Sequence, residues 1–329
     1  MCIRDRFISH KLEEIRALCD TATILRGGKV TATVDPNEKT AHELATLMIG
    51  HDIPQVEARA HQADLSQAAL KLSNLSVSSS DPFGTDLKEI NLSVHGGEIV
   101  GVAGVSGNGQ QELSRLISGE HIAASLAADV IHMLGNPVAR LGAVERRQLG
   151  FSFVPEERLG RGAVPPMSLS KNSLLTAADK GMHRKGFLNK ARMNEYTQQC
   201  ITDFDVRCGG VESEATSLSG GNLQKFIVGR ELSLQPKLLF LSQPTWGVDI
   251  GAATAIRQRL LDLRDSGVAI LVISEELEEL FQITDRVYVI SSGSLSPSLV
   301  TADVTPNDIG KYMIGEEQQP GVTGDSHAT

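Results

Sequence analysis

The chain has 329 residues, 41% hydrophobic and 22% charged, the balance of a globular protein with room for one large domain or two ordinary ones. Its 31 Lys and Arg against 40 Asp and Glu leave a net charge of −9, which argues against a nucleic-acid binder acting through a basic surface. The longest apolar run, from Gly267 to Ile273, falls far short of the ~20 residues that span a bilayer. The four cysteines lack zinc-type spacing and fit reduced cytoplasmic thiols.

In chain order, residues 7–50 read as the end of a strand, a helix from Lys11 to Asp20 with Leu12, Ile15, Leu18 and Cys19 on one face, a hairpin and a short helix. Residues 52–67 are polar and without strong period, and read as a linker. Strands follow at Leu72–Val77, Ile90–Val94 and Ile99–Ala103, then a glycine loop and an amphipathic helix through Leu113, Leu116 and Ile117. Residues of about 165–215 lean helical, with Leu169, Leu174, Leu175, Met193, Cys200 and Ile201 as core positions. From Leu218 helices and strands alternate: Asn222–Leu234, Leu238–Leu241, Ala253–Leu263, Ala269–Ile273 and Leu277–Ile283. This order implies an α/β fold with a mostly parallel sheet, an antiparallel N-terminal β part and a helical subdomain. Residues 316–329 read as a frayed tail.

An internal repeat organises the chain. FISHKLEEIRALCDTATILRGGKV, from Phe7 to Val30, matches VISEELEELFQITDRVYVISSGSL, from Val272 to Leu295, at an offset of 265 residues. The same offset pairs Thr40 with Thr305 and Met48-Ile49-Gly50 with Met313-Ile314-Gly315. The expected division is residues 1–51 as the end of a first copy, 52–67 as linker and 68–315 as a second copy. Roughly 215 residues of the first copy are then expected upstream. A short protein with an N-terminal appendage is the alternative.

Gly104-Val105-Ser106-Gly107-Asn108-Gly109-Gln110-Gln111 has the GxxxxG frame of a phosphate-binding loop, between an apolar strand and a helix. Its glycines would let backbone N–H groups turn inward around phosphate at a helix N-terminus. Gln110 stands where lysine would reach the phosphates, and Gln111 where a hydroxyl would hold Mg²⁺. A plain glycine-rich turn remains open on the frame alone.

Leu218-Ser219-Gly220-Gly221-Asn222-Leu223-Gln224-Lys225 opens a helix 115 residues after the start of the loop. With it the chain resembles the ABC transporter ATPases, whose signature reads LSGG. Leu238–Leu241 followed by Ser242 and Gln243 resembles the Walker B strand, Gly247-Val248-Asp249 the D-loop, and Ile273-Ser274-Glu275 the switch strand. Ile8-Ser9-His10 keeps the switch histidine in the first copy. Val154-Pro-Glu-Glu-Arg158 and Gln243-Pro-Thr-Trp-Gly247 narrow the resemblance to tandem importer ATPases of simple sugars and nucleosides.

The resemblance implies an ABC-type P-loop NTPase fold, ATP with Mg²⁺ as ligands, membrane-spanning permease partners and, indirectly, an extracytoplasmic substrate-binding protein. Nucleic acid is not among the implied partners, and the location is the cytoplasmic face of the plasma membrane. It further implies a head-to-tail sandwich in which Ser219, Gly220, Gly221 and Asn222 face a phosphate loop in the first copy and meet His10 there as the catalytic switch. Gln110, Gln111, Ser242, Gln243 and Glu275 each weaken the charge stabilisation that phosphoryl transfer requires, so the loop of the second copy is expected to be inactive. Asp249 reads as either D-loop or turn aspartate, and Glu156-Glu157-Arg158 as either a solvated charge run or a contact loop for the membrane subunit. Trp246 has no assigned role. The competing functions are a regulatory pseudo-ATPase and a twin ATPase acting on ribosomes.

Overall fold

Five apolar strands line up in parallel in the order Arg286–Ser291, Ile99–Ala103, Ala269–Ser274, Leu238–Ser242 and Phe151–Val154. Every residue of the three central ones is buried, as expected of a parallel sheet covered on both faces. Alternate side chains enter different cores. Val100, Val102, Leu238, Phe240, Leu271 and Ile273 pack toward an antiparallel sheet, while Ile99, Ala103, Leu239, Leu241, Ile270 and Val272 pack toward helices. The antiparallel sheet has the order Leu87–Gly96, Asp64–Val77, Ile131–Met133, Asn136–Pro137. These relations come from a computed structural model that describes residues 5–9, 12–26, 28–49, 63–79, 81–184 and 186–314. His10, residues 52–62 of the expected linker and the tail lie outside the described residues.

The helical part comprises Leu169–Ala177 and Lys190–Asp203, packed through Ala177, Met182, Met193, Tyr196 and Cys200. Ser168 caps the first helix by accepting from the Lys171 N–H. The buried Arg230 ties this part to the core by donating to the carbonyls of Asn172 and Gly162 at 3.1 and 2.9 Å. Beside it Glu231 is fully buried and accepts from Arg230 Nε at 3.0 Å and Arg147 Nη1 at 2.7 Å.

The offset of 265 residues recurs in three dimensions. Helix Leu12–Leu18 corresponds to Leu277–Ile283, the turn Pro36–Glu38 to Thr301–Asp303, and helix Ala41–Ile49 to Pro306–Met313. Single bonds follow. Ser9 Oγ donates to Glu14 at 3.0 Å as Ser274 Oγ donates to Glu279 at 2.8 Å. Thr40 with Glu43 repeats the reciprocal cap of Thr305 with Asp308. The hairpins differ in surroundings: Ala22–Arg26 pairs only with Lys29–Val34 among the described residues, whereas Arg286–Ser291 is a strand of the parallel sheet. Leu25 is accordingly 66% exposed and its counterpart Ile290 0%.

Four details differ from the sequence reading. The first strand of the antiparallel sheet begins at Asp64, inside the expected linker, because residues 64–67 are exposed and show no alternation. Leu18, read on the apolar face of its helix, and Leu175, read as a core position, are 73% and 52% exposed. Phe151–Val154, unread as a strand, is one of the five parallel strands. The short strands Ile131–Met133 and Asn136–Pro137 also escaped, being too brief for a period to show.

Candidate nucleotide site

Parallel strands bring their carboxyl ends to one edge, where ligands of α/β sheets bind. Gly104 follows Ile99–Ala103, Glu156 follows Phe151–Val154 by two residues, Gln243 follows Leu238–Ser242, and Glu275 follows Ala269–Ser274. Four segments far apart in the chain thus meet.

The loop Gly104–Gln111 wraps onto helix Gln110–Ser118, with Gly109 at its N-cap in the left-handed region at φ 108°. Its most telling contacts are internal. The Gln110 carboxamide accepts from the Asn108 N–H at 3.0 Å and donates to the Val105 carbonyl at 2.7 Å. The Asn108 N–H therefore has a partner in the loop's own side chain. A Cβ on Gly104 would lie 2.8 Å from Gln110 Nε2 and 2.6 Å from the Ile290 side chain, so glycine is required there. Asn108 fastens the loop to the neighbouring turn by accepting from Ser292 N at 2.9 Å and Gly293 N at 3.0 Å. Gln111 points to solvent.

Ser242 and Gln243 are 4% and 8% exposed. Gln243 sits in the left-handed region at φ 51°, a costly backbone for a side chain other than glycine and one that recurs at functional sites. Its Oε1 accepts from the Glu275 N–H at 3.2 Å, so the amide is turned to the switch strand. Glu275 itself is exposed. Ser274 donates to the buried Glu279, which also accepts from Thr245 at 2.7 Å, and burial raises the Glu279 carboxyl above its ordinary range. Glu156 is raised as well, by partial burial and then by the charges of Glu275 and Glu157. Mg²⁺ favours carboxylates and phosphate oxygens with strict geometry. An exposed Gln111, a buried Ser242 and a committed Gln243 do not fit that ion.

The signature residues form a separate group. Ser219 is the exposed N-cap of helix Gly220–Leu232, and its Oγ accepts from Asn222 Nδ2 at 2.9 Å. Asn222 Oδ1 in turn accepts from the Arg207 N–H at 2.8 Å. Gly221 faces the turn at Gly247 and Val248, its Cβ position lying 3.7 Å from the Gly247 carbonyl. Asp249 caps helix Ile250–Asp265, accepting from Ala252 N at 2.9 Å. The expected site residues thus divide: Gly104–Gln111, Gln243 and Glu275 at the sheet edge, Ser219–Asn222 and Asp249 beside it, and His10 outside the described residues.

Sequence reasoning missed Arg158. It read Glu156-Glu157-Arg158 as either a solvated charge run or a contact loop for the membrane subunit, whereas Glu157 is exposed and Arg158 is turned over the Trp246 ring at 5.3 Å. No linear signal links residues 88 positions apart.

The ABC transporter family matches residues 87–246. The chain is 37% identical over 309 residues to the nucleoside import ATP-binding protein NupA of Lactococcus lactis subsp. cremoris, covering 94% of this chain and 60% of that protein. It is 35% identical over 327 residues to the glucose import ATP-binding protein TsgD13 of Haloferax volcanii, covering 98% of this chain and 57% of that protein. The chain thus spans under two thirds of the length of these relatives. A solved ATP binding subunit of an ABC transporter superposes with a TM-score of 0.62 at 19% identity, over 75% of this chain and 99% of that one, a likeness in fold. The glycine loop, the LSGG turn, the strand-end residues between them and these matches agree: the chain belongs to the ABC transporter family of ATP-binding proteins.

Proposed function

We propose that the chain acts in the ATP-binding subunit of an importer of a nucleoside or simple sugar, peripheral to the cytoplasmic face of the membrane. Residues 68–315 would serve as the second of two cassettes. The signature Ser219–Asn222 completes an ATP·Mg²⁺ site whose phosphate loop belongs to the first cassette, with His10 as its switch residue. ATP-driven closure is passed to membrane-spanning permease subunits, with substrate delivered by an extracytoplasmic binding protein. The names of the relatives support the substrate class. Among the described residues no helix is long and apolar enough to cross a membrane, which fits dependence on separate spanning partners.

One contrast carries the reading: Gln110 turns back into its own loop, while Ser219 is the exposed N-cap of a helix and makes no side-chain capping bond to the N–H groups that follow it. Reconstituted transporter carrying Ser219→Arg is expected to lose ATP hydrolysis by about 100-fold, the scale of a lost transition-state contact. Gln110→Ala is expected to leave turnover within about twofold, because the closed loop supplies no such contact. The opposite pattern, turnover lost with Gln110→Ala and kept with Ser219→Arg, overturns the assignment. Turnover insensitive to both favours a regulatory pseudo-ATPase, a reading the self-bonded loop also supports.

A further inference from the structure

Arg158 lies between two turns that the chain separates. Its Nε donates to Gln224 Oε1 at 3.2 Å, and its Nη2 donates to the Trp246 carbonyl. Gln224, 1% exposed on the signature helix, donates in turn to the Pro244 carbonyl at 2.9 Å. The guanidinium also closes on both glycines. A Cβ on Gly220 would lie 2.6 Å from Nη1, and one on Gly247 2.9 Å from Nη2. Its backbone is fixed too, the Arg158 carbonyl accepting from Ala163 N at 2.7 Å and Gly162 N donating to Glu157 O at 2.9 Å. A planar fork thus fills the space between the signature turn and the turn that leads to Asp249.

We propose that Arg158 is a positioning residue that joins the signature turn Ser219–Asn222 to the turn Trp246–Asp249, so that both present one rigid edge to nucleotide. The inference rests on the reading of the signature as nucleotide-facing, but the coupling itself is a property of this chain. The guanidinium packs against a glycine of each turn, Gly220 and Gly247, the latter also holding a left-handed backbone at φ 62°. Lysine cannot replace it, because an ammonium on a flexible stem does not fork between Gln224 and the Trp246 carbonyl.

Hydrogen exchange on the full chain tests the coupling. Arg158→Gln is expected to speed exchange of segments 218–224 and 244–249 about tenfold, the scale of one lost charge-assisted bond. Strand Ala269–Ser274 is expected to keep its protection. The emission of Trp246, the only tryptophan, is expected to shift in the same variant. Arg158→Lys is expected to leave at least one of the two segments fast. Wild-type protection in both segments, or equal acceleration in Ala269–Ser274, overturns the proposal. In the transporter Arg158→Gln is expected to lower kcat for ATP about tenfold. Ser219→Arg with normal turnover would remove the parent reading alone, since exchange in the isolated chain reports on Arg158 whatever faces the edge.

Discussion

Replacing Glu231 by glutamine probes what holds the helical part to the core. The carboxylate is fully buried, with Arg147 Nη1 at 2.7 Å and Arg230 Nε at 3.0 Å. Arg230 is 3% exposed and keeps its bonds to Asn172 and Gly162 in the variant, so it is left buried without its counter-charge. Breaking such a pair from one side costs about 3–5 kcal/mol, and the lower end applies here because a glutamine oxygen still accepts one bond. A loss of about 3 kcal/mol lowers the melting midpoint by roughly 6–12 °C for a domain of this size. The pH dependence follows in sign. Burial raises the Glu231 carboxyl, but Arg147 and Arg230 outweigh it and hold the group below its ordinary 4.5. Its stabilisation is therefore present above pH 4.5 and lost as pH falls through the lowered folded value. Urea unfolding of the wild type and Glu231→Gln across pH checks both parts. A deficit under about 1 kcal/mol at pH 7, or one that grows on acidification, would refute the reasoning.

Two further outcomes are expected. Gly293 has φ 81° and faces the Asp86 carbonyl, 1.8 Å from where a Cβ would lie, while Gly28, its counterpart in the repeat, has φ 77° and open space. Gly293→Ala is expected to cost more than about 2 kcal/mol and Gly28→Ala only about 1, by urea unfolding of the two variants; equal costs would contradict the packing argument. Glu156 titrates above its ordinary 4.5 through burial and then the charges of Glu275 and Glu157, so its charged form opposes folding. Glu156→Gln is expected to stabilise the chain at pH 7, with the gain shrinking as pH falls through the raised folded value and vanishing below 4.5. A pH-independent effect in the same melts would exclude that account.

Much of the fold was open to one-dimensional reading because its signals are local. The runs Ile99–Ala103, Leu238–Leu241 and Ala269–Ile273 are apolar throughout, since a central parallel strand is buried on both faces. The repeat was legible too, since one set of local interactions recurs at a fixed offset, down to Ser9–Glu14 and Ser274–Glu279. The loss of charged groups at Gln110, Ser242 and Gln243 is likewise a property of residue identity. Tertiary structure decided what those residues do with their bonds. Gln110 closes on Val105 and Asn108, and Gln243 turns to Glu275, because partners brought in by the sheet and the loop were within reach of a neutral amide. Arg158 turned over the Trp246 ring, and Glu156 came to feel the charge of Glu275 at the end of another strand. Side-chain period and residue type are written along the chain, whereas contacts between strand ends depend on the order in which the strands are laid side by side, which only folding sets.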